Sequence, residues 1–296
     1  MSKFLELSAQ APQATTDLHR IALGLESGIS DQCVYSLCCF DCCMVEGLVN
    51  PMKDEGLWNR CEIAVISLLQ TSASGPVLIH ALHSLSLSLQ LSDPESDTVV
   101  PRLVDILMGS GQFSLRERQL ALRCLSVVEL DASETAAFQR SLLLILEFAP
   151  AAECDFLTLA VSLMCRYVSE FSPEAIDAVV IPHLLKRLKL ARSGTRLAHA
   201  CIGLIHLVLE TRPDSVSQTN LIISSFIERL HTCGCSQACE TCQGCLSCIL
   251  RIGVHPTMRE NLRPFMDVLI SIAWNWQSGG QIAAQSLLNM MAGLLH

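Results

Sequence analysis

Charged residues are scarce in this chain: Asp, Glu, Lys and Arg make up 17% of its 296 residues, against 50% hydrophobic. That balance is too apolar for a disordered segment and provides for a large interior. Basic residues are the scarcer sign, 20 against 29 acidic for a formal charge of -9, which argues against a general binder of phosphate backbones. No positively charged region precedes an apolar run in MSKFLELSAQAPQATTDLH, so no signal or transit peptide is read there and a cytosolic or nuclear address is expected. Apolar runs are broken by His, Ser, Arg, Glu or Pro before they reach roughly 18–20 residues, so membrane insertion is not expected. No polar Pro/Gly/Ser linker divides the chain, and the stretches 70–76 and 91–97 are short enough for interhelical turns. There is no GxSxG elbow, phosphate loop, dinucleotide fingerprint or HExxH pair, so the expectation is no enzyme and no cofactor.

What is present is a weak unit that returns about every 40 residues: an alanine, a small residue three positions later, an apolar one at the fourth and another at the seventh. It stands at Ala121, Cys124, Leu125 and Val128; at Ala198, Cys201, Ile202 and Ile205; at Ala238, Thr241, Cys242 and Cys245; and at Ala283, Ser286, Leu287 and Met290. Poorer copies start at Ala81 and Ala160, and Ser36, Cys39, Phe40 and Cys43 fit the same template. The spacing is that of a helix pair with its turns, the mark of a stacked helical array.

Period-two alternation is confined to Leu85, Leu87 and Leu89, inside a unit that reads as helix elsewhere. Helices are predicted over 15–27, 31–48, 55–70, 76–90, 96–108, 115–129, 132–147, 152–169, 173–190, 194–210, 215–231, 237–253, 261–275 and 281–294, after a flexible segment 1–14. Ser114 with Glu117, Asp131 with Glu134, and Ser172 before Pro173 and Glu174 supply start signals. Pro101, Pro182 and Pro264 fall 81 and 82 residues apart; each is expected to open the main body of the first helix of a pair or to kink it after a preliminary turn.

The 40-residue unit, the proline near the front of some first helices and the small-residue second helix resemble the armadillo/HEAT superfamily over about residues 55–296. The resemblance implies an all-α fold, a right-handed α-solenoid of about seven helix pairs forming one domain over 1–296. It also implies binding of peptides, helices or folded proteins on the concave face made by the last helix of each repeat. Asn220, Trp274, Trp276 and Asn289 are scattered over different element types, so the Asn and Trp ladder used to clamp extended basic peptides is missing. The strongly apolar ending NMMAGLLH suggests a partner there, or a solenoid that continues, since a finished array needs a polar cap.

Sixteen cysteines in a long chain without a secretion signal read as small packing residues rather than a disulfide framework. His231, Cys233, Cys235 and Cys239 have ligand types and spacings that suit zinc, but Cys242 and Cys245 belong to the repeat template, and the set is assigned to structural cysteines with no metal. Cys42, off its stripe, is the more reactive thiol if exposed. Histidines 80 and 83, and 199 and 206, share second helices without a carboxylate motif. The densest basic run, His183, Lys186, Arg187, Lys189, Arg192 and Arg196, is a solvated face or the footprint of a nucleic-acid-associated repeat protein. Trp274 and Trp276 cannot both face one core if the helix continues through them, so either one is an exposed aromatic anchor for a partner or both pack against the terminal helix and its turn. The expected function is a non-catalytic protein-protein interaction scaffold or adaptor in a larger assembly, with partner contacts around 198–210, 237–252 and 281–294. Nucleic-acid association and a zinc-stabilised scaffold are the alternatives.

Overall fold

A computed structural model describes residues 14–277 except 50, 52–54, 92–95, 110, 193 and 233–238, and beyond them only 285, 288, 289 and 292. The segment expected to be flexible, 1–14, therefore lies outside the described residues save Ala14, as does most of the helix predicted over 281–294. The described residues contain helices and turns and no strand. The helices are α1 (Ala14–Leu25), α2 (Ser30–Val45), α3 (Glu55–Thr71), α4 (Pro76–Ser88), α5 (Ser96–Met108), α6 (Leu115–Leu125) and α7 (Ala132–Phe148). They continue as α8 (Cys154–Met164), α9 (Ile181–Leu190), α10 (Arg196–Thr211), α11 (Thr219–Thr232), α12 (Glu240–Val254) and α13 (Met266–Gln277).

The starts follow the local chemistry. Ser114 Oγ accepts the Glu117 amide at 3.4 Å while the Glu117 carboxylate accepts the Ser114 amide at 2.6 Å, a reciprocal box at the head of α6. Asp131 and Glu134 do the same at α7, at 2.7 and 2.9 Å. Two of the three spaced prolines stand at breaks in the α-helical ladder. Pro182 cannot donate to the carbonyl four residues back, and the chain ahead of it widens into a π-turn over Ile176–Val180, with the Ile181 amide bonded to the Ile176 carbonyl. Pro264 ends a 3-10 stretch over Arg259–Phe265 that leads into α13, and Pro101 sits inside α5.

Packing divides the chain into two units, Met1–Phe138 and Gln139–His296. In unit 1, α1, α3 and α5 pack in one row and α2, α4 and α6 in another, each helix also packing on its sequence neighbour. In unit 2, α8, α10 and α12 form one row, and α9, α11 and α13 the other. Unit 1 holds eight of the basic residues and seventeen of the acidic ones, so it carries the whole formal charge of -9; unit 2 holds twelve of each.

The repeat template is the inner stripe of the second row. Ala81, Ser84 and Leu85; Ala121, Cys124 and Leu125; Ala160 and Met164; Ala198, Cys201, Ile202 and Ile205; and Thr241, Cys242 and Cys245 are all buried. The small residue at the third step faces the preceding second helix, which explains its size. Cys124 Sγ donates to the Leu82 carbonyl at 3.4 Å, Ser84 to Asp41 of α2, and Thr241 accepts from Gly194 ahead of α10. Cys39, expected in the same stripe, is only half-buried.

Candidate functional site

The basic run does not come together as one surface. Lys186 is exposed, and Lys189 is exposed and paired with Glu228 at 2.9 Å. Arg187 is 6% exposed, and its guanidinium donates to the Leu146 carbonyl at 3.0 and 2.8 Å and to the Glu147 carbonyl at 3.2 Å. It therefore caps the C-terminal end of α7, satisfying carbonyls that no intrahelical donor reaches. This corrects the placement of Arg187 on an open face. Burial holds its pKa below the ordinary arginine value. The device recurs: Arg102 donates to the Leu69 and Ser72 carbonyls at the end of α3, Arg118 to Leu107 at the end of α5, and Arg229 to Ala191 just past α9. Arg102, Arg187 and Arg229 reach from the helix after next, α5, α9 and α11, whereas Arg118 reaches from the next one, α6.

Trp274 stands on α13 with 62% of its surface exposed; the side chain of Trp276, in the same helix, lies outside the described residues. Cys233 and Cys235 lie outside them too, and with them the His231, Cys233, Cys235 and Cys239 set as a whole. Cys239 immediately precedes α12 in extended conformation, and Cys242, Cys245 and Cys248 are buried along that helix. Among the described residues no group of three metal-ligating side chains converges. Cys42 is exposed, but burial of its sulfur and the charges of Glu46 and Asp41 raise its pKa, which keeps it a thiol. Burial pushes Cys61, Cys124 and Cys201 up to about 12. Every described thiol whose acidity is shifted moves in the inert direction.

The histidine pairs, by contrast, lie at the seams between successive second helices. In unit 1, His83 of α4 is 2.9 Å from the Asp41 carboxylate of α2, Ser84 donates to the other Asp41 oxygen, and His80 Nδ1 lies 3.6 Å from Cys38 Sγ. Burial raises the Asp41 pKa, against the opposing pull of Ser84 and His83, and lowers that of His80. In unit 2, His199 Nδ1 of α10 lies 3.7 Å from Glu240 at the head of α12. Between these two helices runs a groove of about 340 Å³ lined by His199, Ile202, Gly203, His206, Glu240, Gly244 and Ser247.

Two glycines give the groove its form. A Cβ on Gly244 would come within 2.9 Å of Ile202 Cγ2, so glycine is what allows α12 to approach α10 there. A Cβ on Gly203 would meet nothing within 4 Å, so glycine there leaves room that packing does not require. Glycine inside a helix costs about 1 kcal/mol relative to alanine, and this cost was the one signal in the sequence that these positions are special. The helix heads along each seam are tied as well. The buried Glu117 carboxylate accepts from the Gly75 amide at 2.7 Å, the Ser74 hydroxyl at 2.9 Å and the Ser114 amide at 2.6 Å. Thr241 Oγ1 accepts from the Gly194 amide at 2.8 Å. Among the described residues no helix is long and apolar enough to cross a membrane. Compared with family models and with curated proteins, the chain matches none.

Proposed function

We propose that this chain is a non-catalytic protein-interaction scaffold or adaptor of a larger assembly, built as an armadillo- or HEAT-like right-handed α-solenoid of about seven helix pairs in the cytosol or nucleus. The observation that carries this reading is the two-row order within each unit, in which every second helix packs on the second helix one repeat away. Stacked pairs of this kind build extended surfaces rather than enclosed reaction centres. The inert thiols and the absorption of Arg187 into a helix cap leave binding as the chemistry these surfaces offer. Proximity labelling in intact cells with the 1–296 chain tests the reading against the labelling enzyme alone. A small reproducible set of protein neighbours is expected, and a folded chain that enriches nothing overturns it.

A further inference from the structure

The groove between α10 and α12 differs from the seam in unit 1 in one respect that points to a ligand: its polar groups are not used up. We propose that this groove receives a lysine or arginine side chain from a protein partner, held by the Glu240 carboxylate with the His199 imidazole beside it. The proposal rests on the scaffold reading above and names the chemistry of the partner at one place on its surface.

Glu240 is the one carboxylate in the lining, which holds no Lys or Arg. Its side chain is 84% exposed, and at 3.7 Å from His199 Nδ1 it is beyond hydrogen-bond reach, so its lone pairs remain open. His199 Nε2 is buried and has no hydrogen-bond partner. In the tautomer that turns the Nδ1 proton toward Glu240, Nε2 is a bare acceptor, an uncommon condition for a buried polar atom. The nearby guanidinium of Arg251 is held by Glu210 at 3.3 Å. An exposed carboxylate with open lone pairs lacks donors, and ammonium and guanidinium groups are donors only. The open space over Gly203 supplies the room for the aliphatic stem. In unit 1 the carboxylate at the seam between α2 and α4, Asp41, already accepts from Ser84 and faces His83 at 2.9 Å.

The probe is a phage-displayed library of random dodecapeptides panned on the full chain, followed by fluorescence anisotropy of the best peptide. Enriched peptides are expected to share a Lys or Arg, and changing that residue to Gln should weaken binding at least tenfold. Gly203→Leu fills the groove where a Cβ meets nothing, and Glu240→Gln removes the charge from an exposed position. Each should weaken binding at least tenfold while keeping the parental melting temperature. Should Gly203→Leu fail to fold, Glu240→Gln alone decides. No enrichment, enrichment of acidic or uncharged peptides, or parental affinity in Glu240→Gln would overturn the proposal. Cellular neighbours that persist with Glu240→Gln would leave the scaffold reading standing while removing the groove from it.

Discussion

Asp41 in unit 1 and Glu240 in unit 2 both stand where one second helix meets the next, and both are near a histidine of the neighbouring helix. Asp41 is turned inward and answered by Ser84 and His83, whereas Glu240 is turned outward and barely answered. The helix heads show the same contrast: a buried carboxylate, Glu117, ties them in unit 1, and a neutral hydroxyl, Thr241, does so in unit 2. Unit 1, which carries the entire net charge, thus spends two of its carboxylates on holding helices together. Unit 2, with its charges balanced, leaves a carboxylate free at a groove. A repeat fixes which helices meet, but the polar residues at each meeting decide whether the seam is a joint or a site.

The largest test of this contrast is Glu117→Ala, which strands two amides and a hydroxyl together and should cost roughly 3 kcal/mol, while Thr241→Val, which removes a single neutral bond, should cost about 1 kcal/mol. Urea denaturation of the full chain measures both, and equal losses would erase the distinction between the units. Enlarging the template alanine should instead act alike in both: Ala81→Leu and Ala198→Leu are both fully buried positions and should each cost about 2 kcal/mol by overpacking. A parental midpoint in either would remove that helix from the shared template.

Within unit 2, Arg187→Met should cost about 1.5 kcal/mol because buried carbonyls lose a charged donor, while Lys189→Met, which breaks only an exposed pair, should stay within about 0.5 kcal/mol. Similar losses would mean that the basic run acts as one surface after all.

The smallest effect is the pH dependence within unit 1, where the two buried carboxylates pull in opposite directions. Burial alone would raise Glu117, but its hydrogen bonds with Ser114, Gly75 and Ser74 outweigh it and hold the pKa below the ordinary value. Its contribution is therefore fully present above the unfolded value of about 4.3 and is lost as pH falls through the lower folded one. Asp41 has a raised folded pKa, so its contribution is fully present below the unfolded value of about 3.9 and is lost as pH rises through the folded one. In urea midpoints followed from pH 7 to pH 3, the deficit of Glu117→Gln should shrink toward acid. Asp41→Asn should lack the gain that the parent makes as pH falls through the Asp41 window. Parallel curves for parent and both variants would contradict the assignment.

Much of the fold was legible beforehand because helix periodicity and capping are local. The predicted starts at 55, 76, 96, 115 and 132 coincide with those of α3 to α7, and Ser114 and Asp131 cap where their spacing to Glu117 and Glu134 said they would. The candidate site was far less legible. Arg187 reads as one more positive charge in a basic helix until the end of α7 is placed beside it. Asp41, Glu117 and Thr241 each act on a helix tens of residues away, with no local pattern to announce it.

Helical periodicity, the unit of about 40 residues and the stripe of small and apolar residues on the inner side of alternate helices are all legible residue by residue. Those properties follow from backbone geometry and from the period with which side chains return to one face. Which polar groups are answered follows instead from how the helices pack. Whether a carboxylate is a strut or a free acceptor depends on donors brought from another helix, and on whether water can still reach it.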